Sequence, residues 1–194
     1  MFEHFGEADE LRKRRAVKIA VVAVLLLGGF FLARFLLLPP VPSHRGDGTF
    51  QDESWFSGPL PIRGYSVTMP ELDLGSPHEL EYRLADLPNI GLPCGVYLGI
   101  RDHDNGLWRD TKKFDGKLRL ELLDSRSLQV VDVSGRLGDF IWWGSRDQHG
   151  LYQMDRSFFT PDSNEGYRIR LTYTPDPRLA RYKGFVYLWS GGTK

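Results

Sequence analysis

Twenty residues near the N-terminus, Ile19–Leu38, carry one charge, Arg34, and fourteen of them are Leu, Ile, Val or Phe. No stretch of the chain constrains its fold more. As a helix rising 1.5 Å per residue, the run is roughly 30 Å long, the thickness of a bilayer core. At about −0.3 to −0.6 kcal/mol for each large apolar side chain, insertion gains roughly 4 to 8 kcal/mol. Arg34 costs about 2.5 to 3.5 kcal/mol at a helix centre, and less four residues from the end, where it snorkels outward. A single transmembrane helix at 19–38 is therefore expected, with the lipid bilayer as its partner.

The flanks set the orientation. Arg12, Lys13, Arg14, Arg15 and Lys18 precede the run, and the next basic residue after it is Arg45. The positive-inside rule places a tail of residues 1–18 in the cytoplasm and everything after Pro39 across the cell membrane. A cleaved signal peptide fits less well. Its apolar region is shorter and ends in small residues, whereas Ala33 here is followed by Arg34 and more leucines.

Residues 39–63 hold Pro39, Pro40, Pro42, Pro59 and Pro61 among scattered glycines. Proline removes a backbone donor and holds φ near −65°, so this segment reads as an extended stalk. From residue 64 the pattern changes to period two. Leu80, Tyr82 and Leu84 alternate with Glu79, Glu81 and Arg83; Leu118, Leu120 and Leu122 with Lys117, Arg119 and Glu121; Tyr167, Ile169, Leu171 and Tyr173 with Arg168, Arg170 and Thr172. Such alternation gives strands with one wet and one dry face. Further strands are expected at 95–100, 128–133, 139–143, 151–154 and 184–189, the last apolar on both faces and so central. Turn residues punctuate these runs, as at Asp115-Gly116 and Ser134-Gly135. The expected fold is all-β: an antiparallel β-sandwich over 64–194, Ig-like or jelly-roll-like, following the N-terminal transmembrane helix. Tyr167, after the acidic turn "PDSNEG", is placed to pin a crossing loop.

Composition narrows function by exclusion. Lys plus Arg and Asp plus Glu both total 25, and residues 39–194 hold 19 basic and 21 acidic side chains. Nucleic-acid binding needs a basic footprint, so no such partner is expected. Cys94 is the single cysteine and makes no internal disulfide. Five scattered histidines show no zinc spacing, and there is no phosphate-cradling glycine loop. No metal and no cofactor are expected.

The segment "RDHDNGLWRD" (101–110) gathers three acids and a histidine around Asn105-Gly106. Read as a two-residue hairpin, it pairs Asp102 with Arg109 and Arg101 with Asp110 across the strands. As a helix-loop-helix calcium loop it fails, because counting from Asp102 puts Gly106 at position 5 and Lys113 at position 12, and calcium held by Asp102, Asp104 and Asn105 in an irregular loop is the lesser alternative to the hairpin.

The best binding signal is aromatic. Trp142 and Trp143 are adjacent, so in a strand one enters the core while the other meets solvent or a partner. Arg146 and Asp147 follow closely and supply hydrogen bonds. A flat ring beside such groups suits a carbohydrate or a protein hot spot. The expected function is a membrane-anchored, extracytoplasmic binding or assembly module without catalytic residues, using Trp142, Trp143, Arg146 and Asp147. The alternative is a membrane-anchored hydrolase built on Asp147 and His149, or on Asp102 and Asp104.

Overall fold

Strands form where apolar and polar side chains alternate, because a sheet buried on one face satisfies every backbone group and still hides every second residue. The computed structural model describes residues 4–37, 40–57, 60–101, 111–145 and 148–191. It divides into two units, Met1–Pro39 and Pro40–Lys194.

The first unit is a helix, α1 (His4–Leu37). Between Ile19 and Leu32 it holds no charged residue, and Val17, Ile19, Val24, Leu25, Leu26 and Leu32 are among the exposed side chains of the helix. Among the described residues, no helix is long and apolar enough to cross a membrane. The expected span continues past them, since the side chains of residues 33–38 lie outside the described set.

The second unit is made of two main antiparallel sheets and a small hairpin. The smaller sheet contains β1 (Arg45–Gly46), β7 (His78–Ala85), β14 (Gly166–Thr174), β9 (Lys117–Leu123) and β10 (Gln129–Arg136), in that spatial order. The larger runs β11 (Ile141–Ser145), β12 (Gln148–Tyr152), β8 (Cys94–Arg101), β15 (Lys183–Gly191), β5 (Gly64–Thr68) and β2 (Thr49–Asp52). Two short strands flank it: β13 (Phe158–Phe159) on β8 and β6 (Leu72–Asp73) on β15. The hairpin pairs β3 (Trp55–Ser57) with β4 (Leu60–Ile62).

The alternating residues fill the core as expected. Leu118, Leu120, Leu122, Ile169, Leu171 and Tyr173 from one sheet are buried in a single cluster with Val96, Leu98, Ile100, Val186 and Leu188 from the other. β15, apolar on both faces, lies between β8 and β5 inside the larger sheet. The opposite face of the smaller sheet carries the charges. Arg170 pairs with Glu81 at 3.1 Å, and Arg119 with Glu121 at 2.9 Å and Asp132 at 3.6 Å. These exposed pairs add little stability and keep that face wet.

Two features of the chain depart from the expectation. Residues 39–63 are not a free-standing stalk, because from Pro40 onward they belong to the β unit. Val41 is buried in the core, β1 pairs with β7, and β2 pairs with β5 along four residues. Prolines exclude central strands but permit edges, and β1 and β2 are edges. Gly46 makes β1 fit: its φ is +116°, and a side chain there would collide with the Arg83 carbonyl. Asp47 completes the join, its N–H donating to the Arg83 carbonyl at 2.8 Å and its carboxylate accepting from the Arg83 N–H at 2.7 Å. The second departure is β5, where four of five residues are buried and no alternation marks the strand.

Tyr167 does pin its loop. Its hydroxyl accepts a hydrogen bond from the Asp162 N–H at 2.8 Å, across the turn that leads into β14. Tyr167→Phe removes that acceptor alone and is expected to cost about 1 kcal/mol. A urea midpoint shift with an unchanged slope would measure it; no shift would mean that water replaces the hydroxyl without loss.

Candidate functional site

The two tryptophans lie on the edge strand β11, and the pleat sends them to opposite faces. Trp142 turns inward. Its ring stacks on Phe114 at 5.2 Å and its Nε1 donates to the Leu137 carbonyl at 3.0 Å. Trp143 turns outward and remains 52% exposed, its ring centroid 6.3 Å from that of Trp189. Arg146 and Asp147 lie outside the described residues, as does the 101–110 segment apart from Arg101.

Trp143 is the rim of a larger aromatic layer on the outer face of the big sheet. Register places Tyr152, Tyr97 and Tyr187 on three strands side by side. Tyr97 stacks on Tyr187 at 4.8 Å and 19°, and meets Tyr152 and Phe158 edge-on at 5.7 and 6.1 Å. Phe185 and Trp189 join the same cluster, and the Arg101 guanidinium sits 5.5 Å over the Phe185 ring.

Glycines make this layer possible. A Cβ on Gly99 would sit 2.6 Å from the Phe185 ring, and one on Gly150 would run into the Tyr187 hydroxyl. With no side chain at 99 or 150, the neighbouring rings lie over the strands instead of standing away from them. Burial holds the Tyr97 and Tyr187 hydroxyls protonated well above the usual tyrosine range. At the layer's margin, Trp189 Nε1 donates to the Glu53 carboxylate at 2.9 Å.

Among the described residues of the β unit, the large apolar side chains left exposed are Leu128, Val130, Ile141, Trp143, Met154 and Phe158. All fall within one 31-residue stretch of sequence that includes β10 and β11, each an edge of its own sheet.

Other candidates are absorbed by the fold. His149 is fully buried on the inner face of β12, 6.3 Å from the Trp142 ring. Cys94 is also buried, and desolvation pushes its thiol up to about 12, opposite to what a nucleophile requires. Among the described residues, no three His, Cys, Asp or Glu side chains gather to hold a metal ion. The late basic residues are each engaged locally: Arg168 with Ser127, Arg170 with Glu81, Arg178 with Asp176, Arg181 with Tyr182 and Lys183 with Asp73.

The aromatic layer was missed at the level of sequence, although a signal exists. In "GVYLGI" Gly95, Tyr97 and Gly99 share one side of the alternation, and in "GFVYLW" Phe185, Tyr187 and Trp189 do; reading both faces of these strands would have found it. No protein-family model matches the chain, and no curated protein sequence matches it.

Proposed function

We propose that the protein is a membrane-anchored binding or assembly module whose contact surface is the Trp143 side of the β-sandwich. One observation carries the reading: Ile141 and Trp143 stand exposed on the outer face of β11, and Trp143 adjoins the ordered aromatic layer at Trp189. A lone apolar residue is ordinary on a protein surface, whereas exposed rings continuing an ordered aromatic layer mark an interaction site. The opposite sheet face, covered by ion pairs, offers no such surface.

The anchor is α1, held across the bilayer with its basic N-terminal flank in the cytoplasm and the sandwich outside. Ten large apolar side chains between Val17 and Leu32 are exposed on that helix, which favours lipid over water as their solvent. Within the sandwich class, strand order supports the jelly-roll form. Counting β5, β7, β8, β9, β10, β12, β14 and β15 as strands one to eight, the sheets run 1-8-3-6 and 2-7-4-5. Every connection except the β9–β10 hairpin crosses between sheets, as two interleaved Greek keys require. A fold of this kind carries no function with it, so the contact surface bears the argument. The hydrolase alternative has less support, since His149 is enclosed by the core.

A photo-crosslinking residue at position 143 of the full chain, expressed in cells, tests both halves. The protein is expected to pellet with membranes after an alkaline wash and to form adducts from position 143 but not from position 168 on the charged face. Full-length protein in the high-speed supernatant would remove the anchor. Equal labelling from both positions, or none, would remove the contact surface.

A further inference from the structure

A sheet edge exposes a row of unpaired N–H and C=O groups, and proteins that stay monomeric blunt such edges with short strands, charges, proline or bulges. Among the described residues, three of the four edges of the two main sheets are blunted. β1 has two residues and presents Arg45. β2 has four residues and ends in Asp52, whose carboxylate accepts from the Val41 N–H at 3.1 Å. β10 has a register shift between Gln129 and Val131, bears Asp132 and Arg136, and has its Ser134 carbonyl capped by the Gln153 side chain at 3.0 Å.

Within its described residues β11 has none of these devices. Its sequence, Ile-Trp-Trp-Gly-Ser, contains no charge and no proline, and its register with β12 is unbroken over five residues. On its outer face Ile141 is 41% exposed and Trp143 52%.

We propose that β11 pairs with β11 of a second copy of this chain, antiparallel and about a two-fold axis, joining the two larger sheets edge to edge. This rests on the contact surface argued above and names its occupant. The strand that fits beside β11 must be extended, uncharged and apolar on the outer face, so that it covers Ile141 and Trp143 while pairing the free backbone groups. β11 meets that description itself. Among the described edge strands of the two main sheets, β1, β2 and β10 do not, because each carries a charged side chain. Two-fold pairing is isologous, so each copy's Ile141 and Trp143 cover those of the other and the contact closes at two chains. The outer faces then continue across the axis, and the aromatic layers of the two copies meet at their Trp143 rims. Anchoring in one membrane also raises the concentration of copies relative to one another.

The test uses the full chain. Single cysteines are placed in turn at positions 141 to 145 and oxidised in membranes, Cys94 being buried and silent. A disulfide-linked dimer is expected from same-face positions nearest the axis. In detergent micelles at tens of micromolar, the wild type is expected to have twice the monomer mass, and Trp143→Lys the monomer mass with an unchanged circular-dichroism spectrum. A monomeric wild type with no disulfide at any position overturns the pairing. If position 143 then crosslinks to a different molecule, the pairing alone fails and the binding module stands. If it captures nothing, both fail.

Discussion

Replacing Asp176 by alanine is expected to lower the unfolding free energy by about 3 kcal/mol, among the largest effects available to a polar substitution in this domain. The carboxylate is 1% exposed yet fully engaged. It accepts from the Asp115 N–H at 2.7 Å, the Arg178 N–H at 2.9 Å, and Arg178 Nε and Nη2 at 2.9 and 2.7 Å. Arg178 in turn lies 5.0 Å over the Phe114 ring. One side chain thus ties the loop before β9 to the 3-10 turn Pro177–Leu179 before β15. Alanine leaves the Asp115 and Arg178 N–H donors without their acceptor and removes one of the guanidinium's partners, the Lys113 carbonyl remaining; the cost follows chiefly from the two orphaned N–H groups.

The same site sets a pH dependence. Hydrogen bonds from the Arg178 guanidinium hold the Asp176 carboxyl well below the ordinary carboxylate range. A carboxylate with a depressed folded-state value binds its proton more weakly in the native than in the unfolded chain. Its stabilisation is therefore complete above the unfolded value of about 3.9 and is lost as pH falls toward the folded one. The gap between wild type and Asp176→Ala, read from urea melts, is expected to be widest near pH 7 and to narrow steadily below pH 4. A gap that does not change with pH would assign the loss to packing instead of charge.

The second large effect is at Tyr97. Though its side chain lies on the outer face, it is 4% exposed. Tyr97→Ala is expected to cost about 3 kcal/mol, as a truncation in the core would, because it opens a cavity under Tyr187, Tyr152 and Phe158. For a domain of this size that is roughly 6–12 °C in melting temperature. Tyr97→Phe keeps the ring and is expected to remain within about 1 kcal/mol of wild type. Calorimetry on the two variants separates ring packing from hydroxyl bonding. If both melted like wild type, the outer layer would be decoration on the sheet and not a second core.

The two predictions differ in how far they could be read from residue order. Strands such as β9 and β14 were legible because each has one wet and one dry face, and a one-sided surface writes itself as period two. β5 was not, since it is buried on both sides and so lacks alternation. The segment 39–63 was misread because its prolines fit a stalk as well as they fit edge strands. Only pairing with β5 and β7 distinguishes the two. Trp142 and Trp143 were legible as a pair divided between two faces, because adjacent strand residues must diverge. The rings around Trp143 were harder to assemble. Tyr97 and Tyr187 are 90 positions apart and meet only through the register of β8 with β15.

The amino-acid order alone determined a long apolar run, a nearly neutral charge balance and a train of half-buried strands, for these are properties of neighbours along the chain. Which strands became edges, and which rings came to share a face, was decided by the tertiary structure. Both depend on strand register, which is set by the packing of residues far apart in sequence. The unblunted edge at β11 is a property of the assembled sheet.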